Sequence, residues 1–271
     1  MTTLPVLPNA RAMGTRITGW CLLALLLASP ASAGSILLAS DAQTGILYRL
    51  DPKTASATPA GDLGVTHIAG LAYDPGTGVL YGIRSTPPRS LYTIDLADGA
   101  ATVVGPTGVS TMHSLAFDVS TGRLFGSDGL FLYEVDPTTG AATSIGMPSY
   151  SGIGGLAFHP TTHVLYGCAN YTGQGGGIFT IDTSTGAHTR IAVTQALTGL
   201  AFDPKTSELF AVHNGGGSDP GGLYTVDVVA GDVQLIADPD GPVNLLGLEF
   251  IAEGNISVDR SSWAATKSLY R

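Results

Sequence analysis

A five-residue motif occurs five times after residue 34. Gly70-Leu-Ala-Tyr-Asp recurs as Ser114-Leu-Ala-Phe-Asp, Gly155-Leu-Ala-Phe-His, Gly199-Leu-Ala-Phe-Asp and Gly247-Leu-Glu-Phe-Ile, at spacings of 44, 41, 44 and 48 residues. A unit of that length rich in strand formers cannot bury both of its faces alone and must stack on copies of itself. Its content is that of a β-propeller blade.

Each period holds four short apolar segments, here called a to d. In the first full copy they are Gly70–Asp74, Val79–Ile83, Leu91–Asp95 and Ala101–Gly105, with Gly, Pro, Asp and Ser between them. Strand b recurs as Val79-Leu-Tyr-Gly82, Arg123-Leu-Phe-Gly126, Val164-Leu-Tyr-Gly167 and Glu208-Leu-Phe-Ala211. Strand c recurs as Leu47–Asp51, Leu91–Asp95, Leu132–Asp136, Ile178–Asp182 and Leu223–Asp227.

The order of the pieces predicts closure. After residue 34 the chain starts on a b strand, Ile36–Asp41, and the last repeat consists of an a strand, Gly247–Ile251. Pairing the two completes a fifth blade from both chain ends and removes exposed sheet edges. The expected fold is therefore all-β: a five-bladed β-propeller of four-stranded blades over residues 34–252. Within strand a, Leu71 and Tyr73 point to one face and Gly70 and Ala72 to the other. Large side chains of one blade are thus expected to fill space left by small ones on the next.

Residues 1–33 read as a secretory signal peptide. Arg11 and Arg16 precede the apolar run Trp20–Ala28, and Ala31-Ser-Ala33 offers small residues before a cleavage site at Ala33-Gly34. Nine apolar residues fall short of the roughly 20 that a spanning helix needs. A secreted chain is expected (periplasmic, cell-surface or extracellular), with no membrane span in its mature part. Without residues 1–33 it carries 10 basic and 21 acidic residues, a formal charge of −11. Such a field repels polyanions and disfavours nucleic acid as a partner. Cys168 is then the one remaining cysteine, expected inside a blade as a small apolar residue.

Eight of the 21 acidic residues are Asp at strand ends: Asp51, Asp74, Asp95, Asp118, Asp136, Asp182, Asp203 and Asp227. An Asp that accepts a backbone N–H two residues on, with Pro and Gly following, makes a tight hairpin. The alternating oxygen ligands and closing carboxylate of a calcium loop are missing from these turns.

These strands and turns resemble the NHL and YVTN types of β-propeller repeat found in exported bacterial proteins. The shared features are the Gly-Leu-Ala-x-Asp-Pro strand and turn, the Leu-Tyr strand, and a third strand ending in Asp-Pro-x-Thr-Gly, over roughly residues 35–252. The resemblance implies the fold; its members include binding modules, sensors, structural proteins and some enzymes.

With a innermost, the a–b and c–d turns share one face of the disc, and the b–c loops and d–a crossings share the other. The second face varies in length and composition, so a site is expected there. Its candidate ligand-binding residues are His67, His113, Tyr150, Asn170, Tyr171, His213, Asn214, Asp219 and Asn244. Strand a carries Ala72, Ala116, Ala157 and Ala201 where the last copy has Glu249, the one catalytic candidate; an ion pair with Arg49 or Arg84 is its structural alternative. No nucleophile elbow, phosphate loop or dinucleotide fingerprint occurs, and no metal or cofactor is expected. The tail, residues 253–271, is basic and aromatic without repeat character, and a sorting or envelope-docking signal is one reading of it.

The first functional expectation is a secreted, non-catalytic binding module for a carbohydrate, peptide or envelope partner. The alternatives are a hydrolase or lactonase at the channel mouth and a structural surface protein. Two carboxylates, or two histidines and a carboxylate, within ligand distance at the mouth would favour the enzyme, and an Ala- and Gly-lined channel would favour binding.

Overall fold

The computed structural model describes residues 34–146, 152–169, 176–214, 221–239 and 244–252. The signal-peptide reading of residues 1–33 and the tail reading of residues 253–271 lie outside the described residues.

Five four-stranded antiparallel sheets form the blades. Blade 1 joins β1 (Ser35–Asp41), β2 (Ile46–Leu50) and β3 (Ala57–Asp62) to the last strand of the chain. Blade 2 is β4 (Ile68–Asp74), β5 (Val79–Arg84), β6 (Ser90–Ile94) and β7 (Ala101–Pro106). Blade 3 is β8 (Ser114–Asp118), β9 (Arg123–Ser127), β10 (Leu132–Val135) and β11 (Ala142–Gly146). Blade 4 is β12 (Ile153–Phe158), β13 (Leu165–Ala169), β14 (Gly176–Ile181) and β15 (His188–Thr194). Blade 5 is β16 (Gly199–Phe202), β17 (Leu209–His213), β18 (Gly222–Val226) and β19 (Val233–Ala237). The closing strand is β20 (Leu245–Ala252), which pairs with β1 from Ser35↔Ala252 to Asp41↔Leu245. The predicted closure is therefore present.

Five apolar clusters lie between successive blades, and strand a explains why. Leu71 and Tyr73 pack with Leu38 and Ile251 of blade 1. Ala72, on the opposite face, lies with Leu115 and Met112 of blade 3. The same division repeats around the ring: Leu156 meets Ala116, Leu200 and Phe202 meet Ala157, and Leu248 and Phe250 meet Ala201. Each blade thus presents bulk backward and smallness forward.

The glycine that leads four of the five motifs lets neighbouring inner strands approach closely. A Cβ on Gly70 would stand 2.6 Å from Ser114 Cα, and one on Gly155 would stand 2.9 Å from Gly199 Cα. A second close approach, not anticipated from the motif, runs around the outer rim. Gly61 in β3 meets the backbone of Asp98 and Gly99 in the next blade's c–d turn; Gly105 meets Gly140, and Gly146 meets Gly186, in the same way. Backbone bonds reinforce two of these joints, Ala101 N–H to Leu63 C=O at 3.1 Å and Ala142 N–H to Thr107 C=O at 2.9 Å.

All eight turn aspartates use Oδ1 to accept the N–H two residues on, at 2.7–2.9 Å. The Thr138 hydroxyl and N–H hold the Asp136 carboxyl down at about 2. Cys168 is fully buried beside Gly155, and burial pushes its thiol up to about 12. It is an inert filler, as expected.

Replacing Gly155 by Val should lower stability by about 1–3 kcal/mol or more through overpacking of the blade 4–blade 5 seam. Thermal melts check this against Val193→Ala, a 70% exposed position expected to stay within about 0.5 kcal/mol of the parent.

Candidate functional site

Four of the five blades turn from strand a into strand b at the same end of the ring. Each a strand ends on an aromatic residue: Tyr73, Phe117, Phe158, Phe202 and Phe250. Beyond them stand Pro75, Val119, Pro160, Pro204 and Ala252. Together these ten residues wall a cavity of about 130 Å³ at the a–b mouth of the central channel. The room equals about four water-sized groups at ~30 Å³ each. Because the wall takes one aromatic from every blade, it exists only in the closed ring.

Among the described residues Glu249 is the one carboxylate lining this cavity. It occupies the forward, small-residue position of β20, where the other blades carry Ala72, Ala116, Ala157 and Ala201. The carboxyl accepts the Phe250 N–H at 2.9 Å and also the Tyr73 N–H of the neighbouring blade. Burial pushes the Glu249 carboxyl up to about 8, against the two N–H bonds that favour the charged form. Its part-exposed surface faces the cavity it lines.

The expected ion pair of Glu249 with Arg49 or Arg84 does not form. Glu249 and Arg49 both register with Leu38, one strand to either side of β1, so about 10 Å of sheet separates them. Arg84 registers with Ile68, at the opposite end of the inner strand from the a–b turn.

Two histidines of blade 4 line the same cavity. His159 stands where the other turns have Asp, and its Nδ1 does the aspartate's work, accepting the N–H of Thr161 and of Thr162 at 3.2 Å each. That use fixes the tautomer with hydrogen on Nε2. His163 takes the left-handed position, φ 56°, that Gly78 and Gly122 fill in blades 2 and 3. Its Nδ1 lies 3.8 Å from Asp118 Oδ1 of the preceding blade. Burial raises the Asp118 carboxyl, but bonds from Ser120 and Thr121 outweigh it and leave Asp118 below the ordinary range. Among the described residues no three His, Cys, Asp or Glu side chains gather into a metal-binding group.

The described residues expected to bind a ligand, His67, His113, His213, Asn214 and Asn244, lie at the other mouth. His67 is exposed with φ 65°, and its N–H bonds Ala42 C=O at 2.8 Å. Asn244 accepts the Ala42 N–H at 3.0 Å, so the fold brings these two backbones to either side of one residue. His113 is part-buried near Asp128 and Arg89, and burial lowers its pKa. Asp128 accepts the Tyr133 hydroxyl at 2.8 Å; burial first, then this bond, pushes Tyr133 up to about 12. His213 ends β17, opposite Gly222, with Asn214 after it. Tyr150, Asn170, Tyr171 and Asp219 lie outside the described residues.

No known family model matches the sequence, and no curated protein matches it. Solved structures do. A chain of the nidogen/laminin complex superposes with a TM-score of 0.58 at 18% identity, covering 81% of this chain and 99% of its own. A structural-genomics protein of unknown function from Bacteroides thetaiotaomicron gives 0.53 at 15%, covering 80% and 60%. A gluconolactonase from Xanthomonas campestris gives 0.51 at 16%, covering 78% and 77%. At these identities the likeness establishes the β-propeller fold alone, a fold that in these neighbours serves both protein complexes and lactone chemistry. Among the described residues no helix is long and apolar enough to cross a membrane.

Two outcomes follow for the site. A raised carboxyl pKa contributes stability that is complete below the ordinary value of 4.5 and is lost as pH rises through about 8. The melting temperature of the parent, measured relative to Glu249→Gln, should therefore fall by at least ~2–4 °C over that window, what about 1 kcal/mol is worth in a domain of this size. His163→Gly should raise stability by about 0.5–1 kcal/mol, since a non-glycine residue leaves the left-handed region. Denaturant titration at neutral pH measures it.

Proposed function

We propose that this is an exported, non-catalytic ligand-binding propeller whose recognition site is the aromatic cavity at the a–b mouth. The observation that carries the reading is a cavity lined by one aromatic residue of every blade and, among the described residues, by one carboxyl. Apolar concavities with a few placed polar groups are where proteins take small molecules or the side chains of a partner. The acidic sequence disfavours polyanions, leaving peptides, carbohydrates and small molecules as the ligand classes.

Export rests on the segment Arg11–Ala33, whose charged start, apolar run and small-residue site have the order of a secretory signal. A carbohydrate, peptide or envelope component outside the cytoplasm is then the natural partner.

A hydrolase acting at this mouth is the second reading. It is favoured by the presence of Glu249, His159 and His163 around one cavity and by the likeness to a gluconolactonase. Against it, His159 Nδ1 is committed to its turn, which leaves that ring only an N–H donor to offer.

Glycan, peptide and small-molecule arrays probed with the purified protein separate these readings. Val119 is 58% exposed on the cavity rim, so Val119→Arg obstructs the mouth without disturbing the core. Binding weakened at least about tenfold by Val119→Arg, and unchanged by His213→Ala or Asn244→Ala, is the expected result. The reverse pattern would move the site to the b–c face. Turnover of lactone or ester substrates that disappears in Glu249→Gln would establish the enzyme instead.

A further inference from the structure

The outer rim holds a feature independent of the cavity. Each blade ends on a strand with one unpaired edge: β3, β7, β11, β15 or β19. Such an edge invites pairing with another chain, and proteins blunt it with proline or charge, weaken it with glycine, or cover it. Four of the five outer strands carry these devices. β3 holds Pro59, Gly61 and Asp62, β7 holds Gly105 and Pro106, β11 ends on Gly146, and β15 holds His188 and Arg190. β19, Val233-Gln-Leu-Ile-Ala237, has none of them. Leu235 at its centre is 56% exposed, and an exposed aspartate stands at each end, Asp232 and Asp238. Among the described residues neither carboxyl has an ion-pair partner.

We propose that the chain covers this edge with its own C-terminal segment, Lys267-Ser-Leu-Tyr-Arg271, added to blade 5 as a fifth strand. The two sequences are complementary. Each is a five-residue stretch centred on leucine; one lies between two acids, and the other begins and ends on a base. With Leu235 opposite Leu269, Lys267 and Arg271 stand opposite Ala237 and Val233, or the reverse, so a base comes beside each aspartate whichever way the added strand runs. Main-chain bonds along the edge supply affinity, and the end charges select the edge.

The other edges fit this segment less well. Arg190 repels its bases at β15, Pro59 and Pro106 remove donors from β3 and β7, and β11 lies between Ala141 and Met147 with no acid at either end. Position favours blade 5 too. The described chain leaves the closing strand at Ala252, paired with Ser35, whose hydroxyl donates to Asp203 of blade 5 at 2.8 Å. Fifteen residues lead from Ala252 to Lys267, up to about 50 Å of extended chain. The inner and outer strands of a blade are three strand spacings apart, about 14 Å.

Cysteine cross-linking of the full chain tests the pairing. Cys21→Ser removes one native thiol, and Cys168 is buried and inert. In that background Leu235→Cys with Leu269→Cys should form a disulfide within one chain under mild oxidation, because residues opposite each other on paired strands bring their Cβ atoms to about 4.5–5.5 Å. Val103→Cys with Leu269→Cys is the control, on a β7 position that is 58% exposed. Its yield should be at least about threefold lower, since Cα atoms more than about 7 Å apart are not bridged. Asp232→Lys with Asp238→Lys should cut the yield at β19 at least about twofold, and adding Lys267→Asp and Arg271→Asp should restore it. Both aspartates are exposed, so their reversal does not test folding.

A disulfide that joins two chains instead would assign the edge to a second copy and overturn the proposal. Equal yields at β19 and β7, or a yield at β19 that ignores reversal of both aspartates, would overturn it as well. None of these outcomes touches the reading of the mouth, which Val119→Arg tests separately.

Discussion

Seven residue pairs between Ser35–Asp41 and Leu245–Ala252 tie the two ends of the described chain into one sheet. Buried Ser40 fastens the same seam to the next blade, accepting the Gly247 N–H at 3.1 Å and donating to Ile68 C=O at 2.9 Å. Without this pairing, blade 1 has no inner strand and blade 5 has no forward neighbour, so two of the five apolar clusters lose a wall. The cavity depends on the seam more directly still. Phe250, Ala252 and Glu249 all belong to the closing strand, so the site is assembled only when the ring shuts.

Once closed, the ring is held by shape more than by polar bonds. Bulk facing backward and smallness facing forward let each blade wedge into its neighbour, and a glycine at the head of strand a brings the inner backbones into contact. The glycines of the outer rim repeat this device at larger radius, where Gly61, Gly105 and Gly146 receive the next blade's c–d turn. Packing at both radii leaves little freedom for one blade to slide on another.

Much of this was legible in the sequence, because repeats print the same physical demand five times. Strand count, turn chemistry and closure followed from the Gly-Leu-Ala-aromatic motif and from which strands were missing at each end. The outer glycines were visible but ambiguous, since a glycine near a turn is explained by its φ alone. The cavity was hidden for a related reason. Tyr73, Phe117, Phe158, Phe202 and Phe250 are read from the sequence as wedges between blades, which they are; that the same residues also line axial space depends on three-dimensional closure. Short, uniform turns drew attention to the opposite face, although His159 and His163, two departures from the Asp and Gly pattern within one turn, were a signal available in the residues themselves. Glu249 stood out as the one acid in a column of alanines, but that β1 lies between it and Arg49, and that it lines the cavity, are facts of the folded sheet.

Around the axial mouth, blade 1 differs from the others in how its inner strands meet. Where blades 2 to 5 each raise an a–b turn, blade 1 has Ala252 lying beside Ser35, with the Ser35 hydroxyl reaching across to Asp203 at 2.8 Å. One hydroxyl–carboxylate bond thus pins the start of β1 to the a–b turn of blade 5, so the join between the two ends of the described chain is held from the mouth side by a side chain as well as by strand pairing.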